Sequence, residues 1–317
     1  MISNSFLKKP LLRALSIIKK NSREFGSVQS DIWFPKVEDE LDLVDKTCID
    51  FVGKLGNSYP GYDDEKYMSW CREVRSYPGS VKIDPPDVDY PADATETWNM
   101  LYTRLRDLHH KHACKEHREI LKELEDLNIY SPLKIPQFSQ VNKFISGKSK
   151  FKLVPVGGMI NPRSFLYGLA YRVFFCTRYI RHKSVPFYTP EPDVVHEFMG
   201  HVPMFANEDF AQLNETIGKK SLGASDEVIE KLSKIYFYAV EFGVLGDSFL
   251  GSGYLGSSSE FQYVVDNKNL IRDWNLNEIL ESELVLSDYQ PIYYKARDLL
   301  DLKRLIIEGT EQISGNL

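Results

Sequence analysis

Residues 235–245, IYFYAVEFGVL, constrain the fold most, because Glu241 is their only charged side chain. Ser225 is a good N-cap and Gly243 or Gly246 a good stop, so the sequence predicts a helix across this segment. A helix that is apolar on every side is typical of a protein interior. A buried, ionised carboxylate costs several kcal/mol unless it pairs with a cation such as an arginine or binds a metal. Glu241 is therefore a candidate metal ligand, with a buried ion pair as the alternative.

A second candidate lies in PEPDVVHEFMGHVP, where two histidines are five positions apart. The zinc-protease pattern needs histidines four apart on one helix face, whereas five residues of an ideal helix turn His201 about 140° away from His196. We therefore expect the helix to end near Gly200, with Pro203 obstructing its continuation. Two histidines and one carboxylate, with no cysteine among them, match the triad that binds non-haem Fe(II) and leaves coordination positions open.

Composition and charge narrow the class of protein. The 317 residues, 43% of them hydrophobic, suffice for a large globular domain with a full core. A formal net charge of -6 offers no basic surface for nucleic acid. No apolar run approaches the ~20 residues of a membrane span, and the four cysteines lack metal or disulfide spacing, so we expect a reduced, cytoplasmic protein. Residues 1–29 form a basic tail, interpreted as solvated and partly disordered, with an organelle transit segment as the alternative.

Helical patterns cover much of the remaining chain. Asn161 followed by Pro162 predicts a helix start, and the apolar stripe after it predicts a helix that ends near Arg181. Just before it, KLVPVGGMI predicts a short strand and a glycine turn with positive φ. Residues 95–126 predict another helix. Its HHKHACKEH cluster, residues 109–117, is interpreted as a solvated face rather than a zinc site.

Four segments share their pattern with one protein family. They are IRHKSVPFYTPEPDVVHEFMGHVP (180–203), FAQLNETIGKKSLGAS (210–225), IYFYAVEFG (235–243) and YQPIYY (289–294). Together they closely resemble the catalytic domain of the pterin-dependent aromatic amino acid hydroxylases. DIWFPK near residue 31 and HKHAC at 110–114 extend the resemblance more weakly. It implies a mainly α fold, a single helical basket-like catalytic domain at residues 30–317 with a few short β-strands.

The resemblance also implies an activity, its cofactors and a site. It implies an enzyme that binds Fe(II) and tetrahydrobiopterin, or a related reduced pterin or folate, and uses O2 to hydroxylate the ring of a free aromatic amino acid. The implied metal ligands are His196, His201 and Glu241. The implied pterin-binding residues are Gly158, Met159, Ile160, Phe165 and Glu197, and catalytic roles fall to Glu197 and Tyr236. The implied substrate-binding residues are Arg181, which would clamp the carboxylate, and Thr189, Pro192, Asp193, Phe237 and Phe242.

Particular positions refine the expected substrate. Leu286 stands where tyrosine hydroxylases carry an aspartate, which disfavours tyrosine. Phe237 and Phe187 resemble the tryptophan enzymes, although one pocket substitution is often worth only about 1–3 kcal/mol in discrimination. We expect the protein to lack the family's N-terminal regulatory domain, which suits the phenylalanine hydroxylases of microbes. We therefore predict L-phenylalanine as the principal substrate, with tryptophan 5-hydroxylation as the alternative.

Two further expectations come from departures from the family pattern. Gly256, in GSGYLGSSSE, stands where the family usually has a serine that supports an iron-bound histidine. A catalytically silent binding protein is therefore an alternative, as is a zinc hydrolase with Glu197 as its general base. The family's C-terminal tetramer arm is also missing from this sequence, so we expect a monomer or weak dimer.

Overall fold

The computed structural model describes residues 33–77, 79–285 and 288–314, and within them the chain is mainly α with a few short strands, as predicted. The expectations for residues 1–29 and for Leu286 lie outside the described residues.

The α-helices are α1 Phe51–Leu55, α2 Glu65–Arg75, α3 Ala92–His112, α4 Lys115–Asp126, α5 Phe138–Ser149, α6 Pro162–Ala170, α7 Val202–Phe205, α8 Glu208–Ser221, α9 Asp226–Tyr236, α10 Ser252–Leu255, α11 Ser258–Asp266, α12 Leu276–Glu281 and α13 Leu299–Ser314. The strands are β1 Lys152–Pro155, β2 Val173–Cys176, β3 Gly243–Leu245, β4 Ser248–Phe249, β5 Ile271–Asp273 and β6 Tyr293–Ala296. Other helical turns are the 3-10 segments Glu38–Thr47, Gly56–Ser58 and Lys268–Leu270 and the π-helices His196–His201 and Phe237–Glu241.

The described strands form two small sheets. Strand β1 pairs in parallel with β2, and α6 is the crossover between them. The second sheet has the order β4-β3-β6-β5, in which β3, β6 and β5 are parallel and β4 is antiparallel to β3. Because β3 follows the second π-helix directly, this sheet anchors the end of the segment that carries Glu241.

The helix predicted from Asn161 to Arg181 is shorter than predicted. Asn161 caps α6 as expected, since its side chain accepts from the amide of Ser164, but α6 ends at Ala170. Arg172 has a φ of 55°, which a right-handed helix does not contain. The residues after it, VFFC, are β-branched and aromatic and form β2. The long-helix prediction was wrong because a strand buried on both faces has no period-two pattern to distinguish it from a buried helix.

The helix predicted over residues 95–126 is two helices, α3 and α4, separated around Cys114. The amide of Cys114 donates to the carbonyl of Phe249 in β4 at 2.8 Å, so the chain is extended there and joined to the second sheet. This connection buries part of the HHKHACKEH cluster, and both His109 and His117 are fully buried. The interpretation of the cluster as a solvated face was wrong for these two residues and for Cys114, which is also buried.

The helix predicted to be buried is α9 together with the π-helix Phe237–Glu241. Ser225 caps its start, accepting from the amide of Val228. The side chains from Ile235 to Val240 are buried, as the apolar composition predicts. No helix among the described residues has both the length and the hydropathy needed to cross a bilayer.

Helices α6 and α8 touch at Gly218, which gives a test of the fold with a matched control. A Cβ at Gly218 would lie 2.2 Å from the amide nitrogen of Ala170, whereas a Cβ at Gly147 in α5 would meet no atom within 4 Å. Alanine usually stabilises a helix over glycine by about 0.5–1 kcal/mol. We expect Gly147→Ala to raise the free energy of unfolding by that amount. Gly218→Ala should lower it by about 1–3 kcal/mol, because overpacking against backbone is destabilising.

Urea unfolding of both variants measures these changes. Similar stabilisation by the two substitutions would contradict the close contact between α6 and α8.

Candidate metal centre

The two histidines of HEFMGH lie in the π-helix His196–His201. A π-helix bonds each amide to the carbonyl five residues earlier, so residues five apart share a face. The prediction that the helix ends near Gly200 was therefore wrong, because α7 continues directly from His201. Pro203 lies in the first turn of α7 and does not interrupt it.

Glu241 ends a second π-helix, Phe237–Glu241, which continues α9 without a break. The amide of Phe242 closes it by donating to the carbonyl of Phe237. A Cβ at Gly251 would lie 2.2 Å from the carbonyl oxygen of Glu241, so the chain entering α10 runs directly against this residue. The backbone around the carboxylate is thus held on both sides.

The three side chains converge on one point. Nε2 of His196 and Nε2 of His201 are 3.1 Å apart, and Nε2 of His201 is 3.1 Å from Oε1 of Glu241. Nε2 of His196 is 3.7 Å from Oε2 of Glu241. Two ligand atoms about 2.1 Å from one metal and at right angles to each other lie about 3.0 Å apart, so this donor set fits a single transition metal. Among the described residues, this is the cluster with metal-ligand spacing.

The protonation of the cluster also suits a metal. Burial lowers the pKa of His196 to about 4, although Glu241 opposes the shift, so the ring is neutral near pH 7. Burial alone would raise the pKa of Glu241, but His201, His196 and the Ser252 hydroxyl outweigh it and lower the pKa to about 2. Glu241 in turn raises the pKa of His201 against the effect of burial. Metal ligands must be deprotonated, and the carboxylate and one imidazole already are.

Gly256 packs directly against the first histidine. A Cβ at Gly256 would lie 2.6 Å from the Cα of His196 and 2.8 Å from its carbonyl oxygen. A serine therefore does not fit here without a backbone shift. Ser257, the neighbouring hydroxyl, lies near Ser259 and the amide of Glu260 rather than the histidine ring. The support expected from a serine at 256 is absent from the described structure.

The triad lies on the wall of a cavity of about 1340 Å³, a volume larger than most single-ligand pockets. The same wall carries most of the other predicted site residues: Gly158, Met159, Ile160, Phe165, Arg181, Thr189, Pro192, Glu197, Tyr236, Phe237 and Phe242. Asp193 does not line the cavity itself, but it forms an ion pair with Arg181, which does. The structure thus brings together residues from distant parts of the chain.

The turn after β1 forms one side of the cavity. Neither Gly157 nor Gly158 has positive φ, contrary to the prediction for this turn. Both are glycine because of packing: a Cβ at Gly157 would lie 2.9 Å from the carbonyl of Arg75, and one at Gly158 would lie 3.1 Å from Oε2 of Glu191. The ring of Phe165 is partly buried on this side and meets Tyr236 edge-on, with centroids 5.0 Å apart. The carbonyls of Gly158 and Met159 already accept from Sγ of Cys48 and the amide of Ile49. The aromatic face of Phe165 is therefore the feature here that suits a flat heterocycle.

Arg181 and Asp193 form a buried, bidentate ion pair. Nε of Arg181 donates to Oδ2 of Asp193 at 2.8 Å, and Nη2 donates to Oδ1 at 2.6 Å. Nη1 makes only a long contact, 3.4 Å, with the carbonyl of Pro186. Because a guanidinium has five N–H groups, Arg181 keeps donors for a ligand carboxylate. Thr189 does not bond Arg181 but donates its hydroxyl to the carbonyl of Glu191.

Aromatic rings form the part of the cavity beside the triad. The rings of Phe237 and Phe242 are 4.8 Å apart, and both side chains are buried. Pro192 lies on the same wall. Phe187 is 40% exposed at the rim, with the guanidinium of Arg104 4.9 Å from its ring centroid. The enclosed part of the cavity is therefore shaped for an apolar ring.

The family model for biopterin-dependent aromatic amino acid hydroxylases matches residues 32–316. The chain belongs to this family. Bovine phenylalanine-4-hydroxylase is 38% identical over 280 residues, which cover 86% of this chain and 62% of that protein. Bovine tyrosine 3-monooxygenase is 37% identical over 299 residues, covering 92% of this chain and 61% of that one. The chain thus spans somewhat under two thirds of the length of these two hydroxylases.

A solved structure has the same architecture. It is phenylalanine hydroxylase from Chromobacterium violaceum with bound iron(III) and oxidised 7,8-dihydrobiopterin, with a TM-score of 0.68 and 27% identity. The match covers 78% of this chain and 92% of that one. The mainly α catalytic domain expected from the sequence is therefore confirmed.

Two residues that sequence reasoning missed brace the first π-helix. Pro203 has no amide proton, so the carbonyl of Phe198, five residues earlier in the π-helical pattern, lacks its helical donor. The hydroxyl of Tyr130 donates to Phe198 O at 2.8 Å, and Nε2 of His117 donates to Met199 O at 3.0 Å. A proline following two histidines was the available signal, since it leaves a buried carbonyl that needs a partner.

Removing one of these donors tests the bracing. Tyr130→Phe leaves the buried Phe198 carbonyl without a partner, which costs about 1–3 kcal/mol. We expect urea unfolding to show a loss of that size. Tyr263→Phe is the matched control, because its partly exposed ring stacks on Tyr289 at the surface, and it should change stability by less than about 0.5 kcal/mol. Equal effects of the two variants would contradict the bracing role.

Proposed function

We propose that this protein is a non-haem iron, tetrahydropterin-dependent monooxygenase that hydroxylates the ring of free L-phenylalanine to give L-tyrosine. The observation that carries the proposal is the cluster of His196, His201 and Glu241 on the wall of a cavity large enough for two ligands. Membership of the biopterin-dependent family supports the cofactor and the reaction class. The iron and dihydrobiopterin named for the Chromobacterium violaceum structure support iron as the metal and a pterin as the organic cofactor.

The metal site would hold Fe(II) through the two Nε2 atoms and the Glu241 carboxylate. Their mutual distances are consistent with rings oriented for a metal. Bound iron and a reduced pterin would supply the activation of dioxygen that no side chain provides. The protein's part is to fix both ligands and to keep the cavity wall beside the metal apolar.

The pterin would lie against the turn after β1. Phe165 would stack on its ring, and the backbone of Gly158, Met159 and Ile160 would hydrogen-bond its edge. Glu197 is suited to hold a proton there, because burial raises its pKa to about 7 despite the nearby His201. Its Oε1 accepts from the amide and hydroxyl of Thr177, which leaves Oε2 for a proton. Burial raises the pKa of Tyr236 well above its usual value, so its phenol stays protonated as a donor.

The amino acid would be bound by charge at one end and by apolar contact at the other. Arg181 would bind the carboxylate, since its pairing with Asp193 orients the guanidinium and leaves Nη1 donors available. Pro192, Phe237 and Phe242 would enclose the ring beside the triad. Holding the two ends apart would direct the ring edge toward the metal.

The choice between phenylalanine and tryptophan rests on Phe237. The similarity to the two named phenylalanine hydroxylases supports phenylalanine as the substrate. Phe237 instead supports tryptophan, because its ring is smaller than that of a tryptophan side chain and leaves space for the indole of the substrate. A tryptophan at 237 would fill the space beside Phe242, whose ring is 4.8 Å away. Tryptophan 5-hydroxylation is therefore the second candidate function.

A competition between the two amino acids tests the proposed substrate. With iron-loaded protein and tetrahydrobiopterin, we expect kcat/KM to favour phenylalanine over tryptophan, with measurable hydroxylation of both. Phe237→Trp should lower kcat/KM for tryptophan relative to phenylalanine by about 10-fold, because one pocket substitution is worth about 1–3 kcal/mol. Product analysis by liquid chromatography measures both ratios.

Reactions without pterin are the control and should yield no hydroxylated product. A tenfold preference of the wild type for tryptophan would overturn the substrate assignment and make the enzyme a tryptophan hydroxylase.

A further inference from the structure

Ser252 contacts the carboxylate of the triad. Its hydroxyl lies 2.7 Å from Oε2 of Glu241 and 3.3 Å from the carbonyl oxygen of Val240. A hydroxyl has one proton to donate, and bonds to a charged acceptor are shorter and stronger than those to a neutral one. The bond to Glu241 is therefore the one that the proton makes. The side chain is buried, so water does not compete for it.

The backbone leaves Ser252 little freedom. A Cβ at Gly200, in the first π-helix, would lie 2.8 Å from the carbonyl oxygen of Ser252. A Cβ at Gly253 would lie 2.5 Å from the ring of Phe242. The start of α10 is thus packed between the two π-helices that carry the metal ligands, and its first hydroxyl is held at a set distance from the carboxylate.

The two carboxylate oxygens of Glu241 therefore have different partners. Oε2 accepts from Ser252 and is 3.7 Å from Nε2 of His196. Oε1 is 3.1 Å from Nε2 of His201 and is not the oxygen that Ser252 bonds. The geometry directs Oε1 toward the shared focus of the three side chains.

We propose that Ser252 is a positioning residue that holds Glu241 so that Oε1 alone is offered to the metal. The proposal rests on the proposed function, since it presumes a metal at this cluster. A carboxylate that binds through one oxygen leaves one more coordination position open than a carboxylate that binds through both. Ser252 therefore preserves an open position on the side of the cavity.

Ser252 also supplies a hydroxyl beside the triad in a chain that has glycine, not serine, at position 256. Gly256 brings no hydroxyl to His196, and its backbone approaches that residue too closely for a side chain. Ser252, four residues earlier, instead brings a hydroxyl to the carboxylate side of the triad. Removing a side chain that hydrogen-bonds a metal ligand typically weakens metal binding by about 10–100-fold.

Cobalt(II) binding to the metal-free, full-length protein tests the proposal without turnover. Titration should show that Ser252→Ala binds Co(II) about 10-fold more weakly than the wild type. The visible absorption of the bound Co(II) should also change, because a carboxylate freed from Ser252 can bind through both oxygens. Ser258→Ala is the matched control: Ser258 is equally buried, its Oγ has no partner among the described residues, and it does not line the cavity. Its Co(II) affinity and spectrum should match the wild type.

Each outcome is decisive. Wild-type Co(II) affinity and spectrum in Ser252→Ala would overturn the positioning role while leaving the proposed function intact. A Ser252→Ala protein that fails to fold, judged by circular dichroism, would assign the hydroxyl to the fold and likewise overturn it. A wild-type protein that binds no Co(II) would instead contradict the metal site, and with it the proposed function.

Discussion

The contact of the Glu241 carboxylate with two imidazoles is the interaction on which the rest of the structure depends. A carboxylate on this apolar helix, with only 19% of its side chain exposed, is tolerable only with partners close by, and His201 and His196 supply them at 3.1 and 3.7 Å. The helix that carries Glu241 can be apolar on every side because this contact compensates its one charge. The arrangement also leaves three donor atoms facing the same point, which is what a metal with open positions requires.

Irregular backbone brings these donors together. Both segments that carry the candidate ligands are π-helices, which are frequently found at functional sites and which place residues five apart on one face. Buried side chains from elsewhere in the chain donate to carbonyls of the first π-helix: Tyr130, in the turn after α4, bonds Phe198, and His117, in α4, bonds Met199. Glycines at 251 and 256 let neighbouring chain approach the ligands. The site thus depends on contacts from elements far away in sequence.

These features explain what the sequence could and could not predict. The cluster of candidate ligands was predictable, because a lone acid in an apolar helix and two histidines without cysteine indicate a particular chemistry. The widened helix at His196 was not, because hydrophobic periodicity assumes a regular α-helix and five-residue spacing then looks unfavourable. The strand after Arg172 was missed since a fully buried strand lacks alternation. Burial of His109 and His117, and the contact of Ser252 with Glu241, depend on tertiary packing that no local pattern encodes.

Iron binding tests the central claim, that His196, His201 and Glu241 form a metal centre, most directly. Metal-free protein would be titrated anaerobically with Fe(II), and bound iron counted per chain in the wild type, His201→Ala and Glu241→Ala. Glu260→Gln is the matched control, because Glu260 is another buried carboxylate on the cavity wall but lies outside the triad. The account predicts about one iron per chain in the wild type and control, and almost none in folded His201→Ala and Glu241→Ala. Full iron binding by either triad variant would contradict it.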